Sequence, residues 1–355
     1  MTVPVGPMEA PVAYLARMRP LVVPYLYVHG PGEAFDYPSS RSQGRSAQLA
    51  ARYLECVLVQ AGSLRLRDVD CDVALVTNVT DRSAVGRRGA RLLAEIEALG
   101  VAIVHADYEH RPSVEIATFA ASRYVFDAIA AVAGEGDPQR QAWLVDVDCV
   151  WVDPSKVFAA APASPGIGCI HIPYPPDWEL YGFTPQTMGE LAHRLGAPDD
   201  SLRWVGGELL AGTTGDLRAL VSDCEQLERE LAAQDRALTT EEQLLSLAGA
   251  LGRVHFHDMS SVAQRIWTGP RHGAPAVSSP GALGLWHLPS EKGLGFRRAA
   301  RAIASGHPGR LVADLESPER ALKRFNVEGA GLSRRLRDDS WLAMQRLRDR
   351  LLANG

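Results

Sequence analysis

Residues 142–154 read AWLVDVDCVWVDP. The run is rich in Val, Leu and Trp and predicts a buried β-strand, yet it carries Asp146 and Asp148 in its middle and Asp153 just beyond. Ionised carboxylates are costly to bury unless something pairs with them, and one divalent cation can pair with two. Residues two apart on a strand project to the same side. Asp146 and Asp148 can therefore converge on a single ligand. The plain alternative is two solvated aspartates at a strand terminus, and the apolar residues on both sides argue against it.

Working outward, the chain before this stretch alternates strand and helix signals. LVVPYLYV (21–28), CDVALVTNV (71–79) and VAIVHADY (101–108) are short apolar runs, and WLVDVDCVWV (143–152) makes a fourth strand. Between them lie helical patterns that stop at Gly62, Gly100 and Gly134. Uniformly apolar strands separated by helices imply parallel pairing with helices on both faces. Such a doubly wound α/β sheet binds ligands beyond the carboxyl ends of its strands, which is where Asp146 and Asp148 fall. Downstream, GIGCIHIPYPPDWELYGF (166–183), LRWVGGELLAG (202–212), RVHFHDM (253–259) and GALGLWHLPSEKGLGF (281–296) carry strand signals, with helices between. From about Phe296 the pattern is helical to the charged segment LSRRLRDDSWLAMQRLRDRLLA.

The composition bounds the answer. With 355 residues and 46% hydrophobic content, the chain can bury a large core in one or two domains. A net charge of −5 offers no basic face for nucleic acid. No apolar run reaches the ~20 residues of a membrane span. The start, MTVPVGPMEAPVAY, lacks the regions of a signal peptide. Five scattered cysteines without a C-x-x-C pair fit neither a disulfide framework nor a zinc knuckle. The expectation is a soluble, cytoplasmic protein.

Four strand–helix units leading to hhhDxDxxhxxxP resemble the nucleotide-sugar glycosyltransferases of the GT-A fold. In that family the D-x-D holds a divalent metal that bridges the donor's diphosphate. WVGGELLAG resembles the glycine-containing strand that lines the acceptor side. GLWHLPSEKG resembles the His-then-Lys segment of the retaining, glycogenin-like branch, although here Lys292 comes five residues after His287 and Gly293-Leu294 stand where the branch has Pro-Trp. The resemblance implies a GT-A-like unit over 15–295, a mostly parallel sheet flanked by helices, and a helical extension over 296–355. It implies Asp146, Asp148 and His287 as ligands of Mn²⁺ or Mg²⁺, and Lys292 as the cation meeting the leaving diphosphate. It also implies a UDP-linked sugar donor, a small-molecule or glycan acceptor, and retention in preference to inversion.

Other positions follow from where relatives bind their donor. Tyr27, Val28 and His29 end the first strand, where the nucleotide base would lie, and Asn78 ends the second. Val147 lies between the aspartates, and Arg123 lies on the helix before them. Gly206 and Gly207 precede Glu208, whose carboxylate could bond a sugar hydroxyl. Glu241 and Glu242 open a helix; either could serve as a base, or both could simply complement the helix dipole.

Two rivals stand beside this reading. LVDVDCV also fits the haloacid-dehalogenase phosphatase motif, with Asp146 as nucleophile, but that motif sits on a first strand and needs a downstream acidic pair on a strand end, whereas Asp199-Asp200 reads as a turn or helix cap. The other is a nucleotide-sugar binder without activity. His255 and His257 share a strand face and Asp258 follows, but no further ligand at recognisable spacing accompanies them. GPG at 30–32 lacks the surroundings of a dinucleotide or P-loop motif.

Overall fold

A computed structural model describes residues 19–30, 46–112, 121–134, 136–162, 165–268, 279–327 and 340. The N-terminal stretch to 18, the loop beyond Gly30 with the rest of GPG, the start of the helix near 115 and the charged C-terminal segment lie outside these residues, apart from residue 340.

The order begins β1 (Leu21–Leu26), α1 (Ser46–Arg65), β2 (Asp72–Thr77), α2 (Gly86–Ala98), β3 (Ala102–His105), α3 (Tyr124–Ala133), β4 (Gln141–Asp146), β5 (Cys149–Trp151) and α4 (Pro154–Ala159). It continues with β6 (Ile167–His171), α5 (Pro185–Arg194), β7 (Val205–Thr213), α6 (Thr214–Ala232), α7 (Glu241–Ala250), β8 (Phe256–Asp258), β9 (Ala263–Arg265) and β10 (Leu285–His287). Three helices follow, α8 (Gly295–Ala304), α9 (Gly309–Leu315) and α10 (Pro318–Arg324).

Seven strands form the central sheet in the order β3-β2-β1-β4-β7-β6-β8. The first four are parallel, β7 runs antiparallel to β4 and β6, and β8 is parallel to β6. The sheet is mixed and mostly parallel, with helices packed around it. The chain runs outward from β1 to β3 and then returns to β4 on β1's other edge. Right-handed crossovers then place α3 on the face opposite α1 and α2. The crevice above β1 and β4 is the switch point of such a sheet, and the residues leaving both strands line the cavity described below.

The sequence predicts one strand over 143–152; the structure has two. β4 ends at Asp146, and β5 joins a second, three-stranded sheet in the order β5-β10-β9. Nothing in the apolar pattern marks the break, because it depends on partners distant in sequence. Asp146 Oδ1 accepts the Val147 N–H at 2.7 Å, turning the chain. From α1, Gln60 Nε2 donates to the Asp146 carbonyl at 3.1 Å and Ser63 Oγ accepts the Trp151 N–H at 3.2 Å. Just past α1, Arg67 donates to the carbonyls of Trp151 and Val152 at 2.6 and 2.9 Å. Below the turn, the buried rings of Trp143 and Trp151 pack against Phe158 with centroids 5.2 and 5.3 Å from it. The aspartates are held on a turn clamped from α1, so their convergence owes nothing to strand alternation.

Candidate active site

β10 pairs antiparallel with β5 so that His287 lies opposite Cys149, beside Asp148. The Leu288 N–H donates to the Asp148 carbonyl at 2.9 Å and fixes that register. His287 Nε2 consequently lies 3.3 Å from Asp148 Oδ1 and 3.5 Å from Asp146 Oδ2. One ligand atom from each of these three residues falls within 4.8 Å of the others, the single such group among the described residues. Beyond β10 a helical turn over Pro289–Glu291 shortens the path to Lys292. Its ammonium pairs with Asp148 Oδ2 and lies 5.4 Å from the Tyr53 ring centroid. Glu291, fully buried, accepts from Gly295 N at 3.1 Å and Asn326 Nδ2 at 2.6 Å, anchoring this turn to α8 and to the chain after α10.

The electrostatics are uneven. Loss of surrounding water, then repulsion from Asp148, pushes the Asp146 carboxyl up to about 6. Burial opposes ionisation of Asp148 as well, but Lys292 and His287 outweigh it and hold that carboxyl well below its usual range. Burial disfavours the His287 imidazolium, yet Asp148 and Glu208 carry it up to about 9. Asp148 Oδ1 is sealed from solvent and accepts no hydrogen bond. Two carboxylates and an imidazole, one oxygen of them unsatisfied, form a donor set that suits a small divalent cation.

Glu208, on β7, approaches the other side of the histidine, its Oε1 3.4 Å from His287 Nδ1. Its carboxylate is buried and gripped by Arg265, with Nε to Oε1 at 2.9 Å and Nη2 to Oε2 at 2.6 Å. Burial resists the charge, but Arg265 and then His287 hold Glu208 down to about 2. Arg265 also pairs with Glu242 and donates to the Tyr174 hydroxyl at 2.7 Å. Trp204 Nε1 donates to the second oxygen of Glu242 at 3.0 Å. The glycine pair makes room for these acids. A Cβ on Gly206 would meet Glu208 Oε2 at 2.2 Å, and one on Gly207 would meet Glu241 Oε1 at 2.3 Å.

These groups face a cavity of about 170 Å³. Asp146, Val147, Gly207, Glu208, Glu241, Glu242, His287, Lys292 and Tyr27 all line it. Burial first, then Glu242, pushes the Glu241 carboxyl up to about 8. Some expected residues support the cavity without lining it. Asn78 holds the end of β1, accepting Val28 N–H at 2.7 Å and donating to Val28 O at 2.9 Å. His29 is buried, edge-on to Tyr27 at 5.1 Å. Arg123 is buried against Glu228 and the Leu238 carbonyl, to which it donates at 2.7 Å, and it does not reach the cavity.

Sequence reasoning passed over Arg265, Tyr25, Tyr53 and Tyr174. Arg265 gave one faint signal, a lone cation between Val262-Ala263 and Ile266. His255 and His257 pack ring to ring at 4.6 Å and gather no third ligand among the described residues. Asp199 is exposed and pairs with His193 at 3.0 Å, away from the cavity. The phosphatase reading therefore lacks its acidic pair.

The chain is similar to solved structures of LgtC. An active-site mutant of LgtC superposes with a TM-score of 0.48 at 12% identity, over 81% of this chain and 95% of that one. The galactosyltransferase LgtC in complex with donor and acceptor sugar analogs gives 0.47 at 11% identity, over 84% and 96%. Superposition this loose transfers no residue roles. No protein-family model and no curated protein matches the chain. Among the described residues no helix is long and apolar enough to cross a membrane.

Proposed function

We propose that the protein is a metal-dependent glycosyltransferase that moves a sugar from a nucleoside-diphosphate donor, UDP-linked, to a small-molecule or glycan acceptor. The catalytic unit would span 15–295, with 296–355 as a helical extension. The observation carrying this reading is the meeting of Asp146, Asp148 and His287 at a cavity that Asp146 and His287 line, with Lys292 already seated on the buried Asp148 behind them.

Asp146, Asp148 and His287 would hold Mn²⁺ or Mg²⁺. Bound there, the ion supplies positive charge to the departing diphosphate. Lys292 lies beside the same position and adds a second cation as negative charge grows on the leaving oxygen. Its own charge is secured because Asp148 and Asp146 outweigh burial and raise its pKa. Tyr27, at the end of β1, offers its ring to the nucleotide base, while Asn78 fixes the backbone that presents it. Glu208 positions His287 and is itself fixed by Arg265. Glu241 is proton-bearing near neutrality and so is fitted to donate a hydrogen bond to a sugar hydroxyl. No free base is thereby assigned, which favours retention over inversion.

Thermal shift tests the proposal. UDP with Mn²⁺ should raise the melting midpoint, and UDP with a chelator should not. A shift indifferent to the metal would sink the assignment.

A further inference from the structure

Beyond β3 the chain turns through Tyr108, Glu109, His110 and Arg111. Tyr108 is buried, but residues 109–112 are half-buried or exposed. Apolar packing therefore does not hold this turn; its polar contacts do. Asp127, on α3 and buried, accepts the Glu109 N–H at 3.1 Å and the His110 N–H at 3.3 Å. The His110 ring is clamped from two helices. Its Nδ1 lies 2.7 Å from Asp127 Oδ1, and its Nε2 lies 3.1 Å from Glu225 Oε1 on α6.

The turn reaches the cavity through the next side chain. Arg111 Nη2 donates to the Tyr27 hydroxyl at 2.8 Å, and its Nε donates to the Tyr108 carbonyl at 3.2 Å. The guanidinium lies over the Tyr108 ring, 4.6 Å from its centroid, and 5.5 Å from that of Tyr27. Tyr27 lines the cavity and Arg111 does not. The Tyr27 ring leans on Tyr108 and Tyr124, with centroids 4.9 and 5.4 Å away, while Arg111 sets the place of its hydroxyl end. We propose that His110 is a positioning residue for the nucleotide: clamped between Asp127 and Glu225, it holds the turn whose Arg111 fixes the Tyr27 ring. The word nucleotide rests on the transferase reading.

The clamp has its own signature. Carboxylate oxygens only accept, so both ring nitrogens of His110 donate only in the imidazolium. The hydrogen bond to Asp127 leads; together with the Asp127 charge and Glu225 it outweighs burial and raises the His110 pKa above 6.5. The other charges beside the clamp are Glu109 and Arg111 on the turn itself and Arg229 on α6, whose Nη1 lies 4.0 Å from Glu225 Oε2. A raised pKa means that the complete clamp is present below it and is lost as pH rises through it. The buried Asp127 keeps the remaining ring proton, so the contact that opens is the one to Glu225, which is 46% exposed.

Calorimetric titration of full-length protein with UDP and Mg²⁺ reads the effect on binding, and double-mutant cycles show which residue carries it. His110→Gln and Arg111→Ala should each weaken UDP binding by about fivefold, the effect of one net hydrogen bond. Neither should have an effect in a Tyr27→Phe background, which lacks the hydroxyl that Arg111 holds. Glu225→Gln should lose affinity at lower pH than wild type as pH rises, because groups at the metal site titrate alike in both proteins and cancel from the ratio. Superimposable pH profiles would overturn the proposal. So would an Arg111→Ala effect that persists beside Tyr27→Phe, since it would mean direct contact with the nucleotide. The ¹³C-labelled ring signal of Tyr27, assigned by its absence from Tyr27→Phe, needs no ligand and should shift in His110→Gln. If it shifts while wild type binds no UDP, the clamp stands and the transferase reading falls; if UDP binds and the signal stays put, the clamp falls and that reading stands.

Discussion

His287 Nε2 lies 3.3 Å from Asp148 Oδ1, and the antiparallel pairing of β10 with β5 brings the two together. Asp148 has a second obligation on its other oxygen, the Lys292 ammonium. Asp148→Asn should abolish the metal-dependent shift by UDP. It should also destabilise the fold, because Lys292 stays buried without its counter-charge, and removing one partner of such a pair costs about 3–5 kcal/mol. Adding Lys292→Met should recover much of that stability and none of the metal dependence. Chemical denaturation and thermal shift on the two variants separate these effects. A double variant that regains the shift would remove Asp148 from the metal site.

Glu208 reaches the opposite nitrogen of the same histidine. Carboxylates that orient a ligating imidazole through its second nitrogen influence metal affinity by about 10- to 100-fold. Glu208→Gln should weaken Mn²⁺ binding by about tenfold, read by Mn²⁺ electron paramagnetic resonance in the absence of donor. Unchanged Mn²⁺ affinity would leave Glu208 with a packing role alone.

The glycine pair offers a contrast. Glu208 is gripped by Arg265 and cannot yield to a methyl group at Gly206, whereas Glu241 stands in the first turn of α7 and lines the cavity. Gly206→Ala should therefore cost about 1–3 kcal/mol, the range for overpacking a fixed neighbourhood, and Gly207→Ala distinctly less. Urea midpoints for the two variants compare them directly, and equal losses would show that Arg265 does not fix Glu208.

What the sequence made legible follows from these same contacts. Apolar runs and glycine stops expose β1, β2 and β4, because strands buried on both faces need little else, and the half-buried edge strand β3 shows by its apolar run alone; the two aspartates stand out against that background. The break at Val147 was hidden, since it is made by Gln60, Ser63 and Arg67 acting on backbone groups. Arg265 was hidden for a related reason: its partners come from β7 and α7, and only the fold joins them. Local pattern reveals elements, and the site is built from what those elements do to one another.

Glu241 makes the pH dependence of the fold testable. Its carboxyl rises from 4.5 to about 8 in the folded protein, first through burial and then through Glu242. Between those values the folded chain keeps a proton that the unfolded chain has released. Stability from this group therefore falls as pH rises through the window. Glu241→Gln removes the dependence. The variant and the wild type should match near pH 5 and diverge towards pH 8, where the variant is more stable by roughly 2 kcal/mol, the linkage value of ~1.4 kcal/mol per unit reduced by water reaching the carboxyl from the cavity. Urea denaturation from pH 5 to 8 measures the gap, and parallel curves would mean that Glu241 ionises as an ordinary surface carboxylate.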